Sequence, residues 1–157
     1  MKKKSKKILT ILGARPQFIK AASLSEEIKN NTNFQEIIIN TGQHSDANMS
    51  DVFINQLSIQ SPKYNLGISH LSHGAMLGKM VEKIEGILSI ENPNFVLVYG
   101  DTNSTLAGAL AACKLGIKIV HIEAGLRSYN QMMPEEYNRI ITDRISSILF
   151  CPTKNSV

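Results

Sequence analysis

The sequence predicts an α/β fold: a doubly wound, Rossmann-like parallel sheet in a three-layer αβα arrangement. Short apolar runs alternate along most of the chain with longer segments whose apolar residues recur at helical spacing. Parallel strands need crossover connections, usually helices, and are covered on both faces, so nearly continuous apolar strands are typical of such sheets. The 157 residues amount to about one domain, with an ordinary globular composition of 43% hydrophobic and 19% charged residues.

The first half of the chain begins with a strand, a tight turn and a helix. Ile8 to Leu12 form an apolar run that ends at Gly13, and Pro16 follows in the first helical turn, where its missing N–H costs no hydrogen bond. The next predicted elements are a strand, a helix, an irregular connection and a second long helix, at Ile37 to Ile39, Asn48 to Leu57, Ser61 to Gly67 and Met76 to Ile90. Pro93 ends the last of these helices.

Strand and helix alternate more tightly in the second half. The predicted elements are a third strand, a helix, a fourth strand, a helix and a fifth strand, at Phe95 to Tyr99, Ser104 to Leu115, Ile117 to Ile122, Glu135 to Ser146 and Ile148 to Cys151. We therefore expect five parallel strands with helices between them.

The distribution of charge argues against a nucleic-acid-binding protein. The formal net charge is +4, but five of the seventeen Lys and Arg residues precede the first apolar run, at Lys2, Lys3, Lys4, Lys6 and Lys7. We expect residues 1–7 to form a solvated basic tail and residues 8–157 to form the domain. The remainder is roughly neutral and has no basic stripe with aromatic platforms, which are the features that nucleic-acid binding requires.

Membrane insertion and disulfide bonding are not expected either. No apolar run approaches the ~18 residues of a membrane span, and the run Ile8 to Leu12 is too short for a signal peptide core. Cys113 and Cys151 match neither metal nor redox spacing, and we expect reduced thiols in the core. These features predict a cytoplasmic protein without a metal site.

Charged and polar residues follow four predicted strands at the point where each strand ends. They are Arg15 after the first strand, Gln43 and His44 after the second, Asp101 after the third and Glu123 after the fourth. Ligands of doubly wound sheets bind outside these carboxyl ends, so we expect one shared rim. The rim also offers helix N-termini, which suit a phosphate, with Arg15 and Lys20 adding positive charge. Gly13 to Pro16 lack the three spaced glycines of a dinucleotide fingerprint, so NAD is not expected.

Most of these residues also have a structural interpretation. Asp101 would cap the following helix, and Glu135 would pair with Arg139, four residues later on one helix face, at ~0.3 to 0.5 kcal/mol. His121 and Glu123 share a strand face, but His-x-Glu is a poor metal signature, and a structural His121 is favoured. Glu123 is harder to explain structurally, because a carboxylate at the end of a buried strand needs a partner or solvent.

Five motifs together resemble the bacterial non-hydrolysing UDP-N-acetylglucosamine 2-epimerases in order and spacing. They are Gly13-Ala14-Arg15-Pro16 with Lys20, Thr41-Gly42-Gln43-His44, Tyr99-Gly100-Asp101-Thr102, His121-Ile122-Glu123-Ala124-Gly125-Leu126-Arg127 and Met133-Pro134-Glu135-Glu136-Tyr137-Asn138-Arg139. The resemblance runs from about Lys7 to Thr153. It implies the N-terminal half of a two-domain GT-B-type fold, with the active site between the halves. It further implies that the C-terminal UDP-binding domain is absent here, and that this chain alone is inactive.

The resemblance implies interconversion of UDP-N-acetylglucosamine and UDP-N-acetylmannosamine without a cofactor, for cell-surface polysaccharide precursors. UDP is eliminated across C1 and C2 and adds back after a proton reaches the other face of C2. The matching catalytic carboxylates are Asp101, Glu123 and Glu135, and the matching substrate-binding residues are Arg15, Lys20 and Arg139. Gln43 and His44 match a segment that in some members binds a second substrate molecule as an activator. A homodimer is expected for the full-length protein.

Several other functions stay open at this point. Close relatives epimerise modified UDP-sugars such as uronate or deoxy forms, and hydrolysing relatives release free N-acetylmannosamine. The motifs Glu123 to Arg127 and Pro134 to Glu136 favour the non-hydrolysing branch, but they do not identify the sugar. A glycosyltransferase donor domain would share the fold without needing three convergent carboxylates. A truncated product without turnover is the alternative that is not an enzyme.

Overall fold

A computed structural model of the chain describes residues 5–43 and 59–156. Within these residues, six parallel strands form one sheet in the order β3-β2-β1-β4-β5-β6. The strands are β1 (Lys6–Leu12), β2 (Phe34–Asn40), β3 (Tyr64–Asn65), β4 (Phe95–Tyr99), β5 (Lys118–Ile122) and β6 (Ile148–Phe150). The helices are α1 (Arg15–Asn30), α2 (His73–Glu91), α3 (Asn103–Lys114) and α4 (Pro134–Ile145), followed by a 3-10 turn at Lys154–Ser156.

The strand order confirms the predicted doubly wound fold. It reverses between β1 and β4, which are neighbours in the sheet although two strands separate them in sequence. Each predicted strand and helix within the described residues is present, with its ends shifted by at most a few residues. The helix predicted at Asn48 to Leu57 lies outside the described residues. Among the described helices, none is long and apolar enough to cross a membrane.

Two differences concern the extent of the sheet. The segment predicted as an irregular connection contains the short strand β3, which pairs with the end of β2. The first strand begins at Lys6 instead of Ile8, because Lys6 and Lys7 continue the parallel register against Phe34 and Gln35 of β2. These two lysines, expected in a solvated tail, therefore belong to the sheet.

The prediction that both cysteines lie in the core is wrong. Cys113 is exposed, because it lies near the end of α3, where Ala111 and Ala112 take the buried positions. Cys151 is only half-buried, because it follows β6, which forms one edge of the sheet and has exposed side chains.

The core has one layer on each face of the sheet, because successive strand residues point to opposite faces. In β1, Leu9 and Ile11 face the helices α2 and α3, whereas Leu12 faces α1. The first layer also contains Ile37, Ile39, Val96, Val98, Met80, Ile84, Leu88, Ala107 and Ala111. The second contains Ile38, Leu97, Tyr99, Phe18 and Ala21. Two covered faces account for the nearly continuous apolar strands.

Glu91, the last residue of α2, connects this helix to β1 and β3. Its carboxylate accepts hydrogen bonds from Lys63 Nζ at 2.6 Å, the Tyr64 hydroxyl at 2.6 Å and Lys7 Nζ at 3.0 Å. The side chain is only 7% exposed. The bonds from Lys63, Tyr64 and Lys7 lower the pKa of Glu91 from 4.5 to about 2. A carboxyl whose pKa is depressed on folding adds stability above its unfolded-state pKa and loses it as the pH falls through the folded-state pKa.

We expect Glu91→Gln to lower the free energy of unfolding at pH 7 by ~1 to 3 kcal/mol, the usual value of hydrogen bonds to a charged group. The difference from the wild type should shrink as the pH falls from 4.5 to about 2, where the wild-type carboxylate gains its proton. Urea unfolding at pH 7 and near pH 3 measures both effects. Glu82→Gln, on an exposed position of the same helix, is the control and should leave stability unchanged. Equal stability of Glu91→Gln and wild type at pH 7 would contradict the prediction.

Candidate active site

The turns after β1 and β2 meet the start of α3 at the rim of the sheet. Gly13 follows β1, and a Cβ atom on it would lie 2.1 Å from Thr41 Oγ1 and 2.2 Å from Ser104 Oγ. Only glycine therefore fits. The two hydroxyl groups of Thr41 and Ser104 are 2.7 Å apart and joined by a hydrogen bond. This close approach places the ends of β1 and β2 beside the N-terminus of α3, as ligand binding at the reversal of strand order requires.

Gln17 connects the turn after β1 to the end of β4, and the sequence analysis missed it. Its side-chain oxygen accepts the amide protons of Gly13 and Ala14 at 2.8 and 3.0 Å. Its nitrogen donates to the Tyr99 carbonyl at 2.8 Å and to the Thr102 hydroxyl at 3.0 Å. The position of Gln17 could have indicated this role. Ala14, which precedes the helix, has no side chain that can cap it, so a polar residue in the first turn must bond the free amide groups.

Asp101 lies directly after β4 and pairs with a cation from another helix. Its Oδ2 atom is 2.5 Å from Arg139 Nη2, and its carbonyl oxygen accepts a hydrogen bond from Asn138 Nδ2 at 2.8 Å. The carboxylate does not cap α3, as its structural interpretation proposed. Thr102 has that role, because its hydroxyl accepts the amide proton of Thr105 at 3.3 Å. The side chain of Asp101 is therefore available for chemistry.

The partner of Arg139 on its own helix is Glu136, so the expected pair with Glu135 is wrong. Arg139 Nη1 lies 2.9 Å from Glu136 Oε2, at a spacing of three residues. Spacings of three and four residues both place side chains side by side on a helix, so sequence alone does not decide between them. The carboxylate of Glu136 is buried and also accepts hydrogen bonds from the amide groups of Ser128 and Tyr129 at 2.9 and 3.0 Å.

These contacts give Glu136 a structural role in the rim. The amide of Ser128, followed by its hydroxyl and by Arg139, holds the pKa of Glu136 at about 2. A permanently ionised Glu136 fixes the loop before α4 and keeps the Arg139 guanidinium between two carboxylates. Glu136 therefore orients the cation that faces Asp101.

Glu123 lies directly after β5 and forms an ion pair with Lys20 of α1. Its backbone has a φ of +71°, in the left-handed region that is unusual for residues other than glycine. The amide groups of Glu123 and Ala124 both donate to the Phe150 carbonyl at 3.0 Å and so attach this turn to β6. The side chains of Lys20 and Glu123 are 39% and 28% exposed, which leaves both groups accessible to a ligand.

The remaining predicted site residues have different surroundings. Glu135, in the first turn of α4, is half-buried, and its side chain makes no hydrogen bond or ion pair within residues 5–43 and 59–156. Arg15 is the exposed first residue of α1. Gln43 is half-buried, and its side-chain oxygen accepts hydrogen bonds from the Ser104 amide at 3.0 Å and hydroxyl at 2.7 Å. His44 lies outside the described residues.

His121 is a structural residue, as expected. Its ring is fully buried, with Nδ1 2.7 Å from Asp143 Oδ1 and Nε2 2.7 Å from the Gly100 carbonyl oxygen. Asp143 also accepts from Arg127 Nη1 at 2.7 Å and from the Gly125 amide at 3.1 Å. The described part of the chain has no group of three or more His, Cys, Asp or Glu side chains arranged to hold a metal ion.

The rim thus combines two kinds of chemistry. Asp101 and Glu123, on neighbouring strands, are partly exposed carboxylates that can exchange protons. Each has a cation from a different helix beside it, and such cations stabilise the negative charge of a departing anion. The arrangement suits proton transfer coupled to the departure of an anionic group.

Comparison with known proteins identifies a family with this chemistry. The family model described as UDP-N-acetylglucosamine 2-epimerase matches residues 26–157. A UDP-2,3-diacetamido-2,3-dideoxy-D-glucuronate 2-epimerase from Pseudomonas aeruginosa is 60% identical over 151 residues, which are 96% of this chain and 43% of that protein. A UDP-N-acetylglucosamine 2-epimerase from Methanococcus maripaludis is 52% identical over 150 residues, covering 96% of this chain and 40% of its relative.

Solved structures of the same family have the same fold. The Methanocaldococcus jannaschii UDP-GlcNAc 2-epimerase in complex with UDP-GlcNAc and UDP matches with a TM-score of 0.92 and 48% identity, over 96% of this chain and 41% of that one. The Neisseria meningitidis enzyme bound to UDP-GlcNAc matches with a TM-score of 0.90 and 35% identity, with the same coverage of 96% and 41%. The chain spans about 40% of the length of these relatives, and corresponds to the N-terminal part of their GT-B fold. Since the family model covers most of the sequence, the chain belongs to the UDP-N-acetylglucosamine 2-epimerase family.

Proposed function

We propose that the full-length protein containing this chain inverts C2 of UDP-N-acetylglucosamine to give UDP-N-acetylmannosamine. The observation that carries the proposal is a pair of partly exposed carboxylates at the ends of neighbouring strands, each beside a cation from another helix. These pairs are Asp101 with Arg139 and Glu123 with Lys20. Membership of the epimerase family supplies the reaction that uses such a pair.

Resemblance to the family implies that C2 is inverted by elimination and re-addition of UDP. A base removes the C2 proton, the electron pair forms the C1–C2 double bond, and the C1–oxygen bond breaks to release UDP. UDP then attacks C1 while an acid delivers a proton to the opposite face of C2. Two carboxylates on different strands can approach C2 from different directions, as these two proton transfers require. Asp101, Glu123 and Glu135 are the candidates, and the assignment of acid and base stays open.

The diphosphate of the substrate needs cations in the same place. Arg15 at the start of α1, with Lys20 one turn later, adds positive charge to a helix N-terminus, which favours anions. Arg139 is the third candidate for substrate binding. Gln43 is available to a ligand only through its side-chain NH₂ group, because Ser104 already occupies its oxygen. An activator role for Gln43 and His44, a homodimer and a cytoplasmic location stay predictions.

A second candidate substrate is a modified UDP-sugar with a carboxylate at C6. The observation behind it is the 60% identity to a relative named for a diacetamido-glucuronate, which is matched by 59% identity to a relative named as a UDP-N-acetylglucosamine 2-epimerase homolog. Both relatives are named as 2-epimerases, so the chemistry proposed at C2 is the same. The candidates differ only in the substituents that the protein must accept.

We expect the full-length protein, incubated with UDP-N-acetylglucosamine in deuterated water, to introduce deuterium at C2 while UDP-N-acetylmannosamine appears. One carboxylate removes the C2 proton, and the other carboxylate delivers a deuteron that it has taken up from the solvent. NMR of the C2 position follows both products. Release of free N-acetylmannosamine would instead indicate hydrolysis, and transfer of the sugar to an added acceptor would indicate a glycosyltransferase. A parallel incubation with UDP-2,3-diacetamido-2,3-dideoxy-glucuronate separates the two candidate substrates by their kcat/KM values.

Asp101→Asn, Glu123→Gln and Glu135→Gln should each lower kcat/KM of the full-length protein by ~10²-fold or more, because a positioned acid or base contributes about that much. Steady-state kinetics measure the loss, and thermal unfolding checks that each variant is folded. Glu26→Gln, an exposed carboxylate of α1, is the matched control and should retain full activity. Unchanged rates in all three variants would show that these carboxylates do not perform the chemistry.

The 157-residue chain alone should give no measurable epimerisation, because the proposal assigns it only one wall of the substrate site. It spans about 40% of the length of its relatives. The measurement is the same NMR assay at high protein concentration, with the full-length protein as the positive control. Turnover by the purified chain would contradict the expectation and place the complete site within these residues.

A further inference from the structure

The buried His121 ring lies between the two turns that carry the candidate carboxylates. It donates through Nε2 to the carbonyl of Gly100, the residue before Asp101, at 2.7 Å. Its own strand, β5, leads directly into Glu123. Asp101 therefore follows a residue that His121 holds, and Glu123 lies two residues after His121 itself. The ring is fully buried, so it cannot touch a substrate.

The acceptors on either side of the ring determine where its protons lie. A carbonyl oxygen only accepts hydrogen bonds, so Nε2 carries a proton. Asp143 Oδ1 lies 2.7 Å from Nδ1, while Oδ2 of the same carboxylate accepts from Arg127 and Gly125. The Nδ1 atom thus faces a carboxylate that also accepts from two other donors, and the His121 ring is held between Asp143 and Gly100.

Asp143 holds the second turn directly. Its Oδ2 atom accepts the Gly125 amide at 3.1 Å and the Arg127 guanidinium at 2.7 Å. Gly125 is two residues after Glu123, whose φ of +71° is a strained backbone conformation for a residue with a side chain. Such strain persists only where several contacts determine the backbone. The bond from Gly125 to Asp143 is one of these contacts.

We propose that Asp143 and His121 are positioning residues for proton transfer at C2. One carboxylate on α4 fixes the turn of Glu123 through Gly125 and the turn of Asp101 through His121 and Gly100. Together they set the separation of the two reacting carboxylates without contacting the substrate. This inference rests on the proposed function. A shift of about 1 Å in a catalytic group is enough to cost ~10²-fold in rate, so a pair that sets this separation affects kcat more than binding.

The test compares Asp143→Ala with Asp143→Asn in the full-length protein. Alanine removes all three contacts and should lower kcat for UDP-N-acetylglucosamine by ~10²-fold, with KM changed less than about 3-fold. Asparagine can keep the geometry, since its oxygen accepts from Gly125 and its NH₂ donates to the Nδ1 atom of a neutral His121. It should therefore restore kcat to within about 10-fold of wild type. Arg144→Gln, at the next and exposed position of α4, is the control and should match wild type.

Measurements that do not depend on turnover separate positioning from loss of fold. The number of UDP sites per protein should equal that of wild type in each variant, and hydrogen exchange at the Gly125 amide should accelerate in Asp143→Ala only. A loss of kcat matched by an equal loss of UDP sites would overturn the proposal, because unfolding would then explain it. An Asn variant as slow as the Ala variant would also overturn it, because charge and not geometry would carry the effect.

A variant of the histidine covers the case in which Asp143→Ala does not fold. His121→Asn has a side chain too short to span Asp143 and the Gly100 carbonyl, and it should lower kcat while the Gly125 amide stays protected. An unchanged kcat would overturn the proposal. Nitrogen-15 NMR of the wild-type ring should show a proton on Nε2 of His121, and a ring without a proton there would contradict the hydrogen bond to the Gly100 carbonyl. If the wild-type protein does not epimerise the sugar at all, the proposed function fails, whatever these structural measurements give.

Discussion

The rim of the sheet depends on the buried side-chain amide of Gln17, which connects the two turns where the strand order reverses. Between β1 and β4 the following turns lead to helices on opposite faces of the sheet, so their backbone groups cannot pair with each other. Gln17 satisfies the amides of Gly13 and Ala14 on one side and the carbonyl of Tyr99 on the other. An unpaired buried backbone group costs about as much as a lost hydrogen bond. Gln17 therefore makes the crevice compatible with a stable fold.

The ion pairs of the rim hold the carboxylates in place at little energetic cost. Asp101 with Arg139 and Glu123 with Lys20 are partly exposed, and pairs of this kind contribute only ~0 to 1 kcal/mol. In the proposed function, a diphosphate entering the crevice would draw Lys20 away from Glu123 without a large penalty. The buried pairs are different: Glu136 with Arg139 and Asp143 with His121 have satisfied hydrogen bonds and little solvent, so breaking them is expensive. The partly exposed pairs are therefore the ones that a ligand can rearrange, and the buried pairs fix the geometry.

The elements that can be predicted from the sequence are those that local interactions determine. Strand β4 was predicted residue for residue, because an apolar run between Pro93 and Gly100 is a local signal. Strand β3, of two residues, has no such signal and exists only because β2 offers an edge. The roles of Gln17 and Glu136 also depend on partners outside their own helices, and neither spacing nor composition identifies those partners. Resemblance to a family proposed the carboxylates and the cations Lys20 and Arg139, but it did not indicate the buried contacts of Gln17 and Glu136.

Family membership and a shared fold do not identify the sugar, and the rim explains why. Relatives named for UDP-N-acetylglucosamine and for a diacetamido-glucuronate are 52% and 60% identical to this chain, and both names specify epimerisation at C2. In the proposed function, the groups carried by β4, β5 and α4 act at that carbon, which both sugars share. A carboxylate at C6 or an acetamido group at C3 lies elsewhere on the ring. Discrimination between the sugars must therefore come from residues outside the Asp101, Glu123 and Glu135 set.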